Sequence, residues 1–275
     1  MTDKYAVIGN PVAHSQSPLI HAEFARQTGQ DIAYAAILAP LDGFQAEVLK
    51  FRDGGGKGVN ITLPFKHEAW SLVETREGYA VNARAVNTIR FADGRLIGYN
   101  TDGIGLMRDI RNNLQCPVKG KRVLLMGSGG ASYGVMEPLL LEQPEQVVIA
   151  NRTLEKAVGM AGQFEKLRHL AAGGIEARAY SSLDGMQFDI VINATSAGLT
   201  DAMPRLPGNI FAAQALAYDM VYGKTTPFLR FARERGARSA DGTGMLVEQA
   251  AESFFIWRGV RPQTAPVIAR LRGEG

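Results

Sequence analysis

Residues Leu124–Ser132 read LLMGSGGAS. The apolar stretch Arg122–Met126 has the length and composition of a buried strand. It runs into Gly127-Ser128-Gly129-Gly130-Ala131, and Ala131–Leu141 then reads as a helix. Gly127 allows a tight turn. Gly129 and Gly130 let the backbone approach a pyrophosphate, whose charge would face the helix N-terminus. The spacing is G-x-G-G-A rather than the full G-x-G-x-x-G. Glycines after a strand also serve as plain turns, so the stretch alone leaves both readings open.

The next strand, Gln146–Ala150, leads to Asn151-Arg152-Thr153. A site for NAD usually has an acid here, on the ribose hydroxyls. Arg152 instead suits a 2′-phosphate, with Asn151 and Thr153 as hydrogen-bond partners, which favours NADP. A solvated helix start with Thr153 as its cap accounts for the same triplet. Leu154–His169 reads as helical despite its glycines, and Asp189–Asn193 and Leu216–Asp219 as strands. Strands alternating with helices imply a parallel sheet covered on both faces. Gly244–Gly259 reads as one long apolar helix, with another from Ala265.

Upstream the rhythm differs. Lys4–Gly9, Ala33–Leu38 and Val59–Leu63 read as strands, and Pro18–Thr28, Gly43–Phe51 and Lys66–Glu74 as helices. Ser17 suits the N-cap of the first helix, with Pro18 in its first turn. Ala85–Phe91 and Arg95–Tyr99 flank Ala92-Asp93-Gly94 as a hairpin, and Ile104–Asn113 reads as a helix entering the second region. The fold class is α/β: an N-terminal α/β domain with a mixed sheet plus an inserted Rossmann-like domain. The expected boundaries are 1–103 completed by 241–275, and 104–240.

Composition narrows the function classes. The chain has 275 residues, 46% hydrophobic and 21% charged, with a formal net charge of +3. The basic residues are scattered, which argues against nucleic acid. Cys116 is the only cysteine, so there is no internal disulfide. MTDKYAVIGN lacks the pattern of a signal peptide, and no run approaches the ~20 apolar residues of a membrane helix. A cytoplasmic location and no membrane partner are expected. The four histidines are dispersed, so no metal site is expected.

The remaining polar candidates lie in VNITLPFKHEA at Val59–Ala69 and YNTDG at Tyr99–Gly103. Asn60 and Thr62 are two apart on a predicted strand and face one side. Pro64 ends regular pairing, and Lys66 follows where the chain leaves the sheet. A lysine there commonly serves as surface charge, and Asp102 suits a cap for the helix at Ile104. The alternative pairs Lys66 with Asp102 beside a substrate, where the lysine polarises a carbonyl or exchanges a proton with an alcohol.

From AVIGNPVAHSQSP at Ala6–Pro18 onward, the chain resembles the shikimate dehydrogenases along essentially its whole length. The matching stretches are GVNITLPFK, AVNT at Ala85–Thr88, NTDG, GSGGAS, NRT, NATSAG at Asn193–Gly198, YDMVYGKTTPFL at Tyr218–Leu229 and DGTGMLVEQA at Asp241–Ala250. The resemblance implies reversible NADP-dependent oxidation of shikimate to 3-dehydroshikimate, toward chorismate and the aromatic amino acids. It implies Ser15 and Ser17 at the substrate carboxylate, with Tyr222 near them. Asn60, Thr62, Asn87, Asp102 and Gln249 would line the hydroxyl pocket, with Lys66 and Asp102 as the catalytic pair. It implies cofactor contacts at Gly127–Ala131, Asn151–Thr153, Thr195, Met220 and Gly242, and an active-site cleft between the two domains. Three departures from the family pattern stand out: Arg84 before AVNT, Tyr133 after the glycine turn, and Tyr222-Gly223-Lys224, which lacks the proline often seen near that tyrosine. A quinate/shikimate dehydrogenase with broader substrate or cofactor use is the nearest alternative, and a non-catalytic NADP sensor a second. Monomer and homodimer both fit.

Overall fold

A computed structural model of the chain describes residues 2–195, 197 and 202–274. Ser196 and Gly198 of the NATSAG stretch lie outside the described residues. The chain divides into two compact units, Met1–Gly105 with Val247–Gly275, and Leu106–Leu246.

The first unit begins with β1 (Asp3–Gly9), α1 (Ser17–Thr28), β2 (Ile32–Leu38), α2 (Phe44–Asp53) and β3 (Gly56–Ile61). It continues through α3 (Lys66–Leu72), β4 (Thr75–Arg76), α4 (Ala80–Ala83), β5 (Thr88–Ala92) and β6 (Arg95–Tyr99). The six strands form one sheet in the order β2-β1-β3-β5-β6-β4. β1 pairs in parallel with β2 and β3, and β5 is antiparallel to both β3 and β6. The sheet is therefore mixed. The β5–β6 hairpin turns on Asp93 (φ 52°) and Gly94 (φ 74°), the two left-handed residues that a tight hairpin requires. Ile8, Val59, Ile61, Phe65, Val86 and Ile89 are among its core residues.

α5 (Asp102–Arg108) runs on as a π-helix over Asp109–Asn113. The second unit then carries β7 (Arg122–Met126), α6 (Gly130–Leu141), β8 (Gln146–Asn151), α7 (Leu154–Gln163), β9 (Ile175–Ala179) and β10 (Phe188–Asn193). α9 (Thr243–Arg258) and α10 (Ala265–Arg272) end the chain and from Val247 on belong to the first unit; before them the second unit adds β11 (Phe211–Asp219), α8 (Pro227–Arg233) and β12 (Arg238–Ala240). Its sheet is parallel in the order β12-β11-β10-β7-β8-β9. Read from the other edge, this is the 3-2-1-4-5-6 order of the Rossmann fold. Successive residues of β7 enter opposite cores: Val123 and Leu125 face one, Leu124 and Met126 the other. Burial on both faces explains why these strands are continuous apolar runs.

Several sequence expectations shift. Ser17 is not an N-cap: it opens α1, and Gln16 before it makes no side-chain cap bond. The third strand ends at Ile61, so Thr62 lies beyond it. Leu154–His169 is not one helix, because Phe164 closes α7 and a 3-10 segment follows over Glu165–Leu170. α5 begins at Asp102, two residues before the expected start. Asp102 is thus inside the helix, and its N–H is taken by Asn100 Oδ1 at 3.1 Å.

Candidate active site

In the first unit the geometry starts where β3 ends. Thr62 N–H donates to the Ile8 carbonyl at 3.0 Å, and Phe65 N–H to the Thr62 carbonyl at 3.1 Å. Phe65 stacks on Phe44 with ring centroids 4.8 Å apart, which anchors the start of α3. Lys66 is the first residue of that helix, and its carbonyl receives the Val86 N–H at 2.9 Å. Both ends of this residue are thereby constrained, and its side chain crosses to Asp102. Nζ lies 2.5 Å from Asp102 Oδ2, and the two side chains are only 14% and 7% exposed.

Asn87 fixes the other half of the carboxylate. The Thr101 N–H donates to Asn87 Oδ1 at 2.8 Å. A backbone N–H can only donate, so this bond sets which way the amide faces. Asn87 Nδ2 is thereby turned to Asp102 Oδ1, at 2.8 Å. It also reaches Thr101 Oγ1 at 2.9 Å and Gln249 Oε1 at 3.4 Å. Gly105 makes the approach of α9 possible: a Cβ there would sit 2.7 Å from the Gln249 backbone nitrogen.

Asn60 stands behind Asn87, with Nδ2 3.2 Å from the Asn87 carbonyl. Lys66, Asp102, Asn87, Gln249 and Asn60 therefore form one connected group. Ser15 and Ser17 form another corner of the same unit, with Ser17 N–H donating to Ser15 Oγ at 3.3 Å. Tyr222, 37% exposed, belongs to the second unit. Sequence reading missed Thr101, Thr88 and Ser253. Thr88 and Thr101 sit inside the quoted AVNT and NTDG stretches. Ser253 is one helical turn past Gln249, a spacing that puts both on one face.

In the second unit the glycine turn lies at the C-terminal end of β7. Gly127 has φ 98°, which excludes a side chain without strain, and its N–H donates to the Ala150 carbonyl at 2.8 Å. Gly129 precedes α6 in extended conformation, with open space where a Cβ would stand. Ser128 links the two. Gly130 and Ala131 form the first turn of the helix, whose N–H groups lack intrahelical acceptors. Asn151 Nδ2 donates to the Thr153 carbonyl at 2.9 Å. Thr153 precedes α7 but makes no side-chain cap bond. Arg152 is exposed, and its guanidinium has no partner among the described residues.

The ends of β10 and β11 complete this edge. Thr195 donates through N–H and Oγ1 to Asn193 Oδ1, at 3.1 and 2.7 Å. Asn193 Nδ2 donates to Asp219 Oδ2 at 3.1 Å, and Met220 N–H to the Asn193 carbonyl at 2.9 Å. Burial raises the Asp219 pKa, against the lowering effect of bonds from Thr226, Val221 and Asn193. Gly242 packs on the Met220 backbone, where no Cβ would fit. β7 and β10 flank the point where strand order reverses, which is where such sheets bind dinucleotides. A left-handed glycine, an open helix N-terminus and an unpaired arginine one strand away fit a dinucleotide with an extra phosphate. Among the described residues no cluster of His, Cys, Asp or Glu has the form of a metal site. No helix among them is long and apolar enough to cross a membrane.

Comparison with known proteins gives a consistent result. Residues 7–89 match the shikimate dehydrogenase substrate binding domain. Residues 110–200 match the shikimate/quinate 5-dehydrogenase family, and residues 242–272 the shikimate 5'-dehydrogenase C-terminal domain. The NADP(+) shikimate dehydrogenase of Nitrosospira multiformis is 57% identical, covering 100% of this chain and 98% of its own. That of Methylobacillus flagellatus is 56% identical, covering 98% and 99%. A crystal structure of shikimate 5-dehydrogenase from Thermus thermophilus, in complex with NADP(H) and shikimate, is 32% identical. It covers 100% of both chains with a TM-score of 0.87.

Proposed function

The chain belongs to the shikimate dehydrogenase family, and from that premise we propose that it interconverts shikimate and 3-dehydroshikimate with NADP, toward chorismate and the aromatic amino acids. The observation that carries this reading is the Lys66–Asp102 contact, with Asn87 on the second carboxylate oxygen. The first unit is the substrate domain, and the second holds NADP. Asn60, Thr62, Asn87, Asp102 and Gln249 take the hydroxyl side of the substrate. Ser15, Ser17 and Tyr222 take its carboxylate.

Bound NADP supplies the hydride acceptor at its nicotinamide ring. Gly127, Ser128, Gly129, Gly130 and Ala131 hold its pyrophosphate, and Asn151, Arg152 and Thr153 its 2′-phosphate. Thr195, Met220 and Gly242 line the nicotinamide side. The protein's own part in the reaction is the proton. As the alcohol carbon loses hydride, its hydroxyl must lose a proton, and Lys66 is the group placed to take it. Asp102 keeps the lysine in place and bonds a neighbouring hydroxyl. In the reverse direction the Lys66 ammonium stabilises charge developing on the carbonyl oxygen. The enzyme works in the cytoplasm, as a monomer or homodimer, without nucleic acid or membrane.

Initial rates with shikimate or quinate, each with NADP or NAD, test the proposal through the absorbance of reduced nicotinamide. A strong preference for shikimate with NADP is expected. Comparable rates with quinate or NAD would replace it with a broader dehydrogenase. Binding of NADP without turnover would leave a sensor.

A further inference from the structure

The Asn60 amide lies at the centre of a relay that begins away from the proposed catalytic pair. Its Nδ2 faces the Asn87 carbonyl, which can only accept, so the orientation of the amide is fixed. The same nitrogen reaches Thr88 Oγ1 and Ser253 Oγ, each at 3.0 Å. Oδ1 is therefore turned toward β2, where the Tyr34 hydroxyl donates to it at 2.7 Å. Tyr34 is held in turn by His21 of α1. The two rings stack with centroids 4.2 Å apart and planes within 6°. His21 is fully buried and its ring nitrogens have no hydrogen-bond partner, so ring packing is what it contributes.

Donation runs in one direction. Thr88 Oγ1 donates to Asn87 Oδ1 at 3.0 Å, and Asn87 Nδ2 donates to Asp102 Oδ1. From Tyr34 through Asn60, Thr88 and Asn87, each group gives a proton toward the carboxylate that grips Lys66. Chains of aligned bonds of this kind polarise one another in a low-dielectric interior.

We propose that Tyr34 is a positioning residue for the reaction, acting through Asn60 to hold Asn87 on Asp102. This rests on the reading of Lys66 and Asp102 as the catalytic pair. Burial raises the pKa of the phenol well above its ordinary value, so it remains a donor at any working pH. The Ser17 hydroxyl, on the proposed carboxylate side, pulls the other way.

Tyr34→Phe removes the donor and keeps the ring against His21. Wild-type turnover of shikimate with NADP is measured first, because its absence would defeat the functional reading itself. With turnover present, kcat/KM for shikimate in Tyr34→Phe is expected to fall about tenfold, as one ordinary lost hydrogen bond predicts. The Kd for NADP is expected to stay the same. In an Asn60→Ala background the same substitution should have no further effect, since its route is gone. A purely structural tyrosine would not show that loss of effect. Activity within twofold of wild type, or a full tenfold effect that persists without Asn60, overturns the proposal. Should Tyr34→Phe not fold, Ser253→Ala tests the same amide from its other end. It too should lower kcat/KM, and by less once Asn60 is Ala, because Ser253 Oγ also reaches Thr88 Oγ1 at 2.8 Å and Thr101 Oγ1 at 3.3 Å directly. An effect independent of Asn60, or none, counts against the relay.

Discussion

Acidification tests the packing around α1 through one residue. His21 is surrounded by Phe24, Tyr34, Phe254 and Trp257, and burial pushes its pKa from an ordinary 6.5 down to about 3. The folded protein therefore refuses a proton that the unfolded chain accepts below about pH 6.5. Stability from this group is complete above that pH and is lost as pH falls toward 3. The slope is about 1.4 kcal/mol per pH unit, so between pH 7 and pH 5 the loss is about 2 kcal/mol. Urea unfolding at both pH values, followed by circular dichroism, measures it directly. His21→Phe keeps a flat ring in the same cluster and removes the titration, so this variant should lose about 2 kcal/mol less than wild type over that interval. Equal losses in the two proteins would refute the reasoning, because His21 would then take up its proton without unfolding.

Lys66→Ala should lower kcat for shikimate by about a hundredfold or more with little change in KM, read from initial rates. Unchanged turnover would remove the lysine from the mechanism. Arg152→Ala should weaken NADP binding by about tenfold to a hundredfold, the worth of a charge-assisted hydrogen bond. Its affinity for NAD should barely move in fluorescence titration. Tyr218→Phe takes the donor from buried Asp109, now bonded at 2.7 Å, and the acceptor from the Met245 N–H. It should cost about 1–3 kcal/mol in urea unfolding.

The parts of the fold that were legible are those whose burial leaves a mark on composition. β7, β8 and β10 are covered on both faces, so each is a short apolar run ended by a turn residue. β9 and β12 were not legible. β9 is an edge strand reading IEARA, and β12 has only three residues, RSA. Neither buries enough surface to fix its composition. The apolar pattern continues to Leu63 and so implies a strand through Thr62, but pairing with β1 and β5 stops by Ile61. Ser17 has the chemistry of a cap, but the helix starts on it instead of after it.

The proposed site shows the same division between kind and arrangement. Sequence supplies a lysine, a carboxylate and amides, but their partners depend on register. Lys66 and Asp102 are 36 residues apart, and Asn87 and Gln249 are 162 apart. The β3–β5–β6 pairing brings Asn60 opposite Thr88 and Thr88 opposite Tyr99, so that Asn87 falls between β3 and the start of α5. There a main-chain N–H, which no side-chain motif records, decides the Asn87 amide. With Asn87 on Oδ1, the carboxylate meets Lys66 through Oδ2. An ammonium has three protons, and the contact with Asp102 uses one. The proton chemistry proposed here needs such an arrangement: a lysine tethered firmly enough to be in place, with donors left over for the oxygen whose charge changes.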